Sequence, residues 1–288
     1  MIGLHAQGTT LPLAWEQAIL ALWAHGDKVK TEYDKPGDPL SRDAFMTIEV
    51  LRPLREPRIH MCMPGGYHDL EKYVCEVLFG VHDHWIDSQN PNKWQYTYFS
   101  RLFNYFCLMP DPLNKEKYLL VNQIEIAIQK LKKCPHTRRA QAITWQPWVD
   151  NEIKDPPCLQ RLWFRVYNGR LCMTAHIRSN DAYKAAFMNM FAFTEVQRYV
   201  AQRLKIPVGS YIHVADSFHI YGSYFEQFQM GFLKSLKERE FKNRVVTTES
   251  CIPYFLEGIK ELLLEKDMPA VKKKQLEERA ITAWAQTG

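Results

Sequence analysis

Long apolar runs are missing from this 288-residue chain. No stretch approaches the roughly 20 consecutive apolar residues that a membrane-spanning helix needs. The N-terminus also lacks the basic segment and apolar core of an export signal. A cytoplasmic location is the expectation. Paired cysteines are missing too: the seven cysteines are odd in number, scattered, and never spaced as C-x-x-C, which argues against a disulfide framework and against a zinc site. No metal is expected. Charge of one sign is only mildly in excess, at a formal net +5, part of it in Lys272, Lys273 and Lys274. That is weak support for nucleic-acid binding, and a small anionic ligand fits equally well. Low-complexity tracts and internal repeats are absent, while 46% hydrophobic residues suffice for one large core or two modest ones.

What is present is an interleaving of helical and extended patterns. The apolar spacing from Leu11 to His25 predicts an opening helix that stops at Gly26. Lys28 to Asp43 reads as a loop, Phe45 to Leu51 as a strand ending at Pro53, and Leu70 to Phe79 as a buried helix ending at Gly80. Val81 to Trp94, rich in His, Asp, Asn and Pro, reads as irregular. Leu119 to Lys133 has the pattern of a helix and Ala140 to Trp145 that of a strand. Leu162 to Tyr167 and Leu171 to Ile177 flank Asn168-Gly169, a dipeptide that accepts positive φ at both positions of a two-residue hairpin turn. Asp181 reads as the N-cap of a helix to about Leu204, ended by Pro207. Tyr211 to Val214 then reads as a strand, Tyr221 to Glu240 as a helix, and Tyr254 to Trp284 as a charged helical tail. The elements alternate without a strict βαβ repeat, so an α/β (α+β) fold is expected, with one main domain over 1–245 and a helical C-terminal extension over 246–288.

Cys158 follows Pro156-Pro157 immediately before the hairpin, so its thiol sits on a conformationally fixed turn at the mouth of a strand. An isolated cysteine is more often an inert core thiol, and it is the company of Cys158 that suggests chemistry. Arg178 and Ser179 end the hairpin, and Arg138-Arg139 precede a neighbouring strand. These are guanidinium forks and a hydroxyl suited to a phosphate, and cations that lower a nearby thiol's pKa. A solvated arginine face is the plainer reading. Asn189 lies on the helix after Asp181, where its amide offers a donor and an acceptor, although a mid-helix Asn is usually a surface residue. His219 and Tyr221 alternate about Ile220, so in an extended segment both point the same way, towards one ligand or as a satisfied structural pair.

Taken in order, these elements resemble the thymidylate synthase family. Arg138-Arg139 before a Trp-ending strand, Pro156-Pro157-Cys158, Arg178-Ser179-Asn180-Asp181 with Asn189 downstream, and His219-Ile220-Tyr221 stand at matching mutual spacings. Tyr96-Thr97-Tyr98 with Arg101, and Ala14-Trp15-Glu16, are similar to the compact archaeal-type members. The resemblance covers most of residues 10–240 and is specific from Arg138 to Tyr221. It implies a mixed β-sheet with flanking helices that packs through the sheets against its twin, in a homodimer with shared active sites. The implied substrate is a pyrimidine nucleoside monophosphate, with Arg178 and Ser179 on its phosphate. Arg138 and Arg139 would reach the same phosphate from the other subunit, and Arg42 is the candidate for a mobile N-terminal phosphate arginine. Cys158 would add to C6 of the base, making C5 a nucleophile towards the methylene group of the co-substrate 5,10-methylenetetrahydrofolate. Asn189 would read the base edge, His219 and Tyr221 the sugar hydroxyl, and Asp181 the pterin. Glu76 would manage protons through water, with Tyr98 beside it among the catalytic residues. No nucleic acid is required.

Three departures from the family pattern thin the polar network around the base. Leu159, Ile177 and Ser217 stand where the family commonly has His, Gln and Asp. The terminus Ala283-Trp284-Ala285-Gln286-Thr287-Gly288 also lacks the small apolar ending that closes over folate. The expected reaction is dUMP to dTMP. The alternative is 5-hydroxymethylation of dUMP, dCMP or CMP, in which water captures the shared intermediate. Asn189 favours uracil, since cytosine-specific relatives tend to place Asp there. A non-catalytic nucleotide or RNA binder on the same fold is the third reading.

Overall fold

The computed structural model describes residues 1–87, 89–90, 92–109 and 117–282. The chain opens with β1 (Gly3–Gly8), α1 (Leu11–His25), β2 (Asp27–Val29), β3 (Ser41–Val50), β4 (Ile59–His60), α2 (Tyr67–Phe79) and α3 (Tyr98–Phe103). Two paired strands, β5 (Tyr105–Met109) and β6 (Lys117–Val121), are followed by α4 (Gln123–Lys133), β7 (Gln141–Ile143) and α5 (Pro147–Asp150). Next come β8 (Leu159–Tyr167), β9 (Arg170–Ile177), β10 (Asn180–Asp181), α6 (Ala186–Leu204) and β11 (Val208–Ile220). The remainder is mostly helical: α7 (Phe225–Phe228), α8 (Lys234–Glu238), β12 (Val245–Val246), α9 (Thr248–Leu263) and α10 (Ala270–Thr282).

Eight strands form one mixed sheet along the path β1-β3-β11-β9-β8-β7, with β2 added to β3 and β10 to β11. The period-2 alternation decides which face is covered. In β3, Ala44, Met46, Ile48 and Val50 are fully buried while Phe45, Thr47 and Glu49 between them are half-exposed. β9 repeats this with Leu171, Met173, Ala175 and Ile177 inward. Helices α1 and α6 pack on the inward face, where Trp15 stacks edge-on against Phe187 and Phe232 at 5.1 and 5.3 Å. Its indole N–H donates to the Ala182 carbonyl at 2.8 Å, so this large side chain is buried with its polar atom satisfied. The opposite face, with Phe45, Trp163, Thr174, Ile212 and Val214, stays half-exposed.

The α1 boundaries, the α2 stop at Gly80 (φ 63°) and the Asn168-Gly169 turn (φ 49° and 70°) stand as the sequence predicts. Other boundaries differ, each for a physical reason. The predicted loop 28–43 loses both ends to strands, because β2 and β3 pair and β3 extends back to align Asp43 with His219 of β11. The predicted helix from Leu119 begins only at Gln123: Asn122 caps it through Glu125 N at 2.8 Å, and 117–121 pair with β5 instead. β11 runs thirteen residues, far beyond Tyr211–Val214, since it lies centrally between β3 and β9. Asp181 does not cap α6, which starts at Ala186; its Oδ1 accepts from Tyr183 N and Lys184 N (3.0 and 2.7 Å) and closes the turn before the helix. The predicted helix 221–240 is segmented into a 3-10 turn, α7, a π stretch at Gln229–Leu233 and α8. A Cβ at Gly222 would strike the Pro39 carbonyl, so only glycine lets this segment leave the sheet so close to the loop. The tail is two helices broken around Asp267-Met268-Pro269, and Trp284 lies outside the described residues.

Candidate active site

Cys158 sits where β8 leaves its turn, half-buried and adjacent to the end of β9. The two prolines before it have no N–H of their own, and their carbonyls face the hairpin's other end. Arg178 uses them: its Nε donates to Pro157 O at 3.1 Å and its Nη2 to Pro156 O at 2.6 Å. The Arg178 backbone N–H donates to Cys158 O at 2.9 Å. The thiol turn and the Arg178-Ser179 corner are thus stitched into one unit. Burial pushes the Cys158 thiol above its ordinary range, the Arg178 charge pulls it back, and Asp155 adds to the rise.

On one side of Cys158 lies a cavity of about 640 Å³ lined by Tyr73, Glu76, Trp94, Tyr96, Tyr98 and Asp155, among others. The Tyr98 hydroxyl accepts from Leu159 N–H at 3.2 Å, directly after the cysteine, and burial raises its pKa so that it stays protonated. Glu76, three residues after Tyr73 on α2, shares its face and reaches the cavity. Asn189 is not a surface residue: it is 7% exposed, and its Oδ1 accepts from the Tyr73 hydroxyl at 2.6 Å. Tyr73 is itself held neutral by burial. The Leu159 and Ile177 side chains are fully buried and pair in register. Polar contacts here come instead from the hydroxyls of Tyr73 and Tyr98.

A second cavity, about 230 Å³, is lined by Tyr33, Asp43, Ser179, Ser217, His219 and Tyr221, among others. The Ser217 hydroxyl donates to Asp43 Oδ1 at 2.9 Å and lies 3.1 Å from His219 Nδ1. A hydroxyl has one proton, so with that proton on Asp43 it accepts from Nδ1–H, and Nε2 is left as an acceptor. Burial lowers the His219 pKa against the opposing pull of Asp181 and Asp43, which keeps the ring neutral. A carboxylate, that of Asp43 on the neighbouring strand β3, thus stands behind Ser217 and in register with His219. Tyr221 is pushed up to about 12, chiefly by burial. Asp181 pairs with His219 in the sheet and lines neither cavity, its Oδ2 accepting from the Tyr224 hydroxyl.

Not every predicted residue converges. Arg138 and Arg139 are exposed beside β7 and line neither cavity. Their backbone carbonyls accept from Trp163 Nε1 (3.0 Å) and Lys130 Nζ (3.2 Å). Arg42 turns to the Gly26 carbonyl at 3.2 Å and lies over Trp23. The six terminal residues 283–288 lie outside the described residues. Tyr73 and Asp43 join the site without any motif that singles them out, and Ser217, a departure from the family pattern in sequence, lines the smaller cavity. The local signal for Tyr73 is its spacing from Glu76 along one helix face.

Fold and site together define an α/β protein with a half-buried thiol at the mouth of a mixed-sheet strand, and with an aromatic and a polar cavity lined by residues of the surrounding elements. Residues 71–252 match the family model described as thymidylate synthase. A relative named "Putative thymidylate synthase" from Methanocaldococcus jannaschii is 32% identical over 213 residues, covering 72% of this chain and 86% of the relative. A protein of the same name from Methanosarcina acetivorans is 28% identical over 208 residues, 72% of this chain and 85% of its own length. The deoxyuridylate hydroxymethyltransferase of Bacillus phage SP01 is 35% identical over a shorter stretch of 108 residues, 36% of this chain and 28% of that protein. The solved structure of thermostable thymidylate synthase A from Bacillus subtilis shares the fold, with a TM-score of 0.58 at 21% identity over 77% of this chain and 84% of that one. The chain belongs to the thymidylate synthase family.

Proposed function

We propose that the protein is a one-carbon transferase that methylates dUMP at C5 to give dTMP. The observation that carries this reading is the Cys158 turn, bonded to Arg178 through the Pro156 and Pro157 carbonyls, with Ser179 in the lining of the smaller cavity and Tyr98, held to Leu159 N–H, in the lining of the larger. After its two bonds to the proline carbonyls, Arg178 keeps the rest of its five N–H donors for a phosphate, with the Ser179 hydroxyl beside it. His219, presenting Nε2 as an acceptor, and Tyr221 take the sugar hydroxyl. Cys158 adds to C6, and the displaced electron pair runs to O4, where the Asn189 amide N–H stabilises it. Glu76 and Tyr98 are the groups that handle protons in the larger cavity.

The larger cavity fits the folate co-substrate by its chemistry: Trp94, Tyr96 and Tyr98 offer ring faces to a flat heterocycle, and Lys93 and Lys154 offer charge to a carboxylate tail. Asp181, its rotamer fixed by three donors, keeps lone pairs for the pterin. Bound methylenetetrahydrofolate supplies the one-carbon unit and, for methylation, the hydride. The likeness to the phage hydroxymethyltransferase supports a second reading, 5-hydroxymethylation of a pyrimidine nucleotide at the same site. Incubation with dUMP, dCMP or CMP plus methylenetetrahydrofolate, with mass measurement of the product, tests both. A methyl product from dUMP is expected; a hydroxymethyl product selects the second reading, and no product from any of the three overturns both.

A homodimer through the half-exposed sheet face completes the proposal. Trp163, on that face, holds the Arg138 carbonyl, so a twin docked there lies beside Arg138 and Arg139. Those arginines, exposed beside β7, then serve the partner's phosphate rather than their own.

A further inference from the structure

One buried cluster ties the larger cavity to the far end of the chain. His82, 8% exposed, follows α2 and stacks on Trp85 at 3.8 Å between centroids and 10° between planes. It meets Trp94, part of the cavity lining, edge-on at 5.6 Å. Its Nδ1 lies 3.1 Å from Glu76 Oε2, and its Nε2 lies 3.3 Å from Glu265 Oε1 in the turn between α9 and α10. A neutral imidazole carries a single N–H, so only the imidazolium donates to both carboxylates at once. Burial by itself lowers the His82 pKa, but Glu76 and Glu265 outweigh it and the ring sits above its ordinary range. The other ionisable groups at this corner are Asp83, which accepts from the Thr97 hydroxyl, its neighbour His84, and Lys272 of α10, which donates to the Phe79 carbonyl and lies over Phe99.

We propose that His82 is a positioning residue for the reaction: an imidazolium clamped between Glu76 and Glu265, it fixes one oxygen of the Glu76 carboxylate and leaves the other for the cavity. The turn between α9 and α10 thereby becomes part of the machinery. This rests on the reading of Glu76 as the proton-handling group. The direction of the pH effect follows from the proton count. When pH rises through the raised His82 pKa, the ring keeps one N–H shared between two tautomers, so Glu76 is held only in the tautomer with the proton on Nδ1 and loses its donor in the other. Neutralising Glu265 removes one of the two charges that keep the proton on the ring, so His82 then deprotonates at a lower pH.

The test is Glu265→Gln, followed by NMR titration of the His82 ring protons, assigned by their loss in His82→Gln, and by kcat as a function of pH. In the unaltered protein the ring is expected to titrate above the ordinary histidine range. In Glu265→Gln its midpoint is expected to fall by about one pH unit, the effect of a single nearby charge. The alkaline limb of kcat should fall with it, while KM for the nucleotide stays put, because no nucleotide contact is touched. His82→Gln should lose that limb and about tenfold to a hundredfold in kcat, the cost of a loosened catalytic group. A ring that titrates at or below the ordinary range overturns the proposal, as does an alkaline limb that Glu265→Gln leaves in place. If the protein turns over no pyrimidine nucleotide, the reading of function fails separately, and the ring titration alone decides whether the clamp exists. The titration of the unaltered protein also decides it should Glu265→Gln not fold.

Discussion

At the scale of single residues, the proposed function puts nucleotide binding and covalent chemistry on different groups, and this separates their variants. Cys158→Ser should abolish turnover yet leave nucleotide affinity within about tenfold, because the phosphate, sugar and base contacts do not use the thiol. Equilibrium binding of dUMP alongside an activity assay checks this, and retained turnover would sink the covalent mechanism. Asn189 makes the second residue-scale case. On the proposed reading its amide donates to uracil O4 and accepts from N3–H, with the Tyr73 hydroxyl bracing the Oδ1 side. A carboxyl group suits the amino group of cytosine better, so Asn189→Asp should raise the dCMP to dUMP ratio of kcat/KM. A mismatched buried polar edge costs about 1–3 kcal/mol, which corresponds to roughly a tenfold to hundredfold change in preference. A ratio equal in both proteins would show that Asn189 does not read the base.

At the scale of elements, the helices after residue 246 are wired into the core by charge. Arg279 of α10, nearly buried, donates through Nε to Glu71 of α2 at 2.8 Å and lies 3.7 Å from Glu195 of α6. Glu195 also holds Arg58 at 2.8 Å and pairs with Arg198. Burial alone would raise the Glu195 carboxyl, but Arg198, Arg58 and Arg279 hold it at about 2. Its contribution to stability is therefore present above the ordinary carboxylate range and is lost as pH falls towards 2. Arg279→Ala removes the ion-pair partner of the buried Glu71 and leaves the more distant Arg198 charge near it. It should cost about 3–5 kcal/mol, read as a lower urea midpoint. A midpoint unchanged from the original would mean that α10 is an appendage. The same scale explains what the sequence makes legible. Cys158, Arg178-Ser179 and His219-Ile220-Tyr221 are short strings at strand ends, so their own spacing announces them. Tyr73 on Asn189, Asp43 behind His219, and Glu265 behind His82 arise from helix packing or from strand pairing between segments far apart in the chain. No local pattern encodes such pairings. The thirteen-residue β11 exceeds its local strand pattern for the same reason, since its ends are strand only because β3 and β9 lie against them.

At the scale of the whole molecule, a sheet with one face sealed by helices and the other half-open is an unfinished core. Phe45, Trp163, Ile212 and Val214 alternate with fully buried residues and lie half-exposed among polar neighbours such as Thr47, Glu49, Thr174 and His176, a mixed surface of the kind a protein partner covers. A twin across a two-fold axis covers it with the same patch on both subunits. The prediction is a dimer in solution, visible by sedimentation at micromolar concentration, whose sites are shared. If Arg139 serves the partner's phosphate, Arg139→Ala and Cys158→Ser damage different halves of each site. In a hybrid of the two, one site receives both lesions and the other receives neither. Mixing the two inactive proteins under conditions of subunit exchange should therefore restore activity, up to about half a site pair per hybrid. Arg139→Ala acting on its own subunit's phosphate would give hybrids with one lesion in each site and no recovery. Exchange confirmed by mass, with activity still absent, would show that the arginines are not shared.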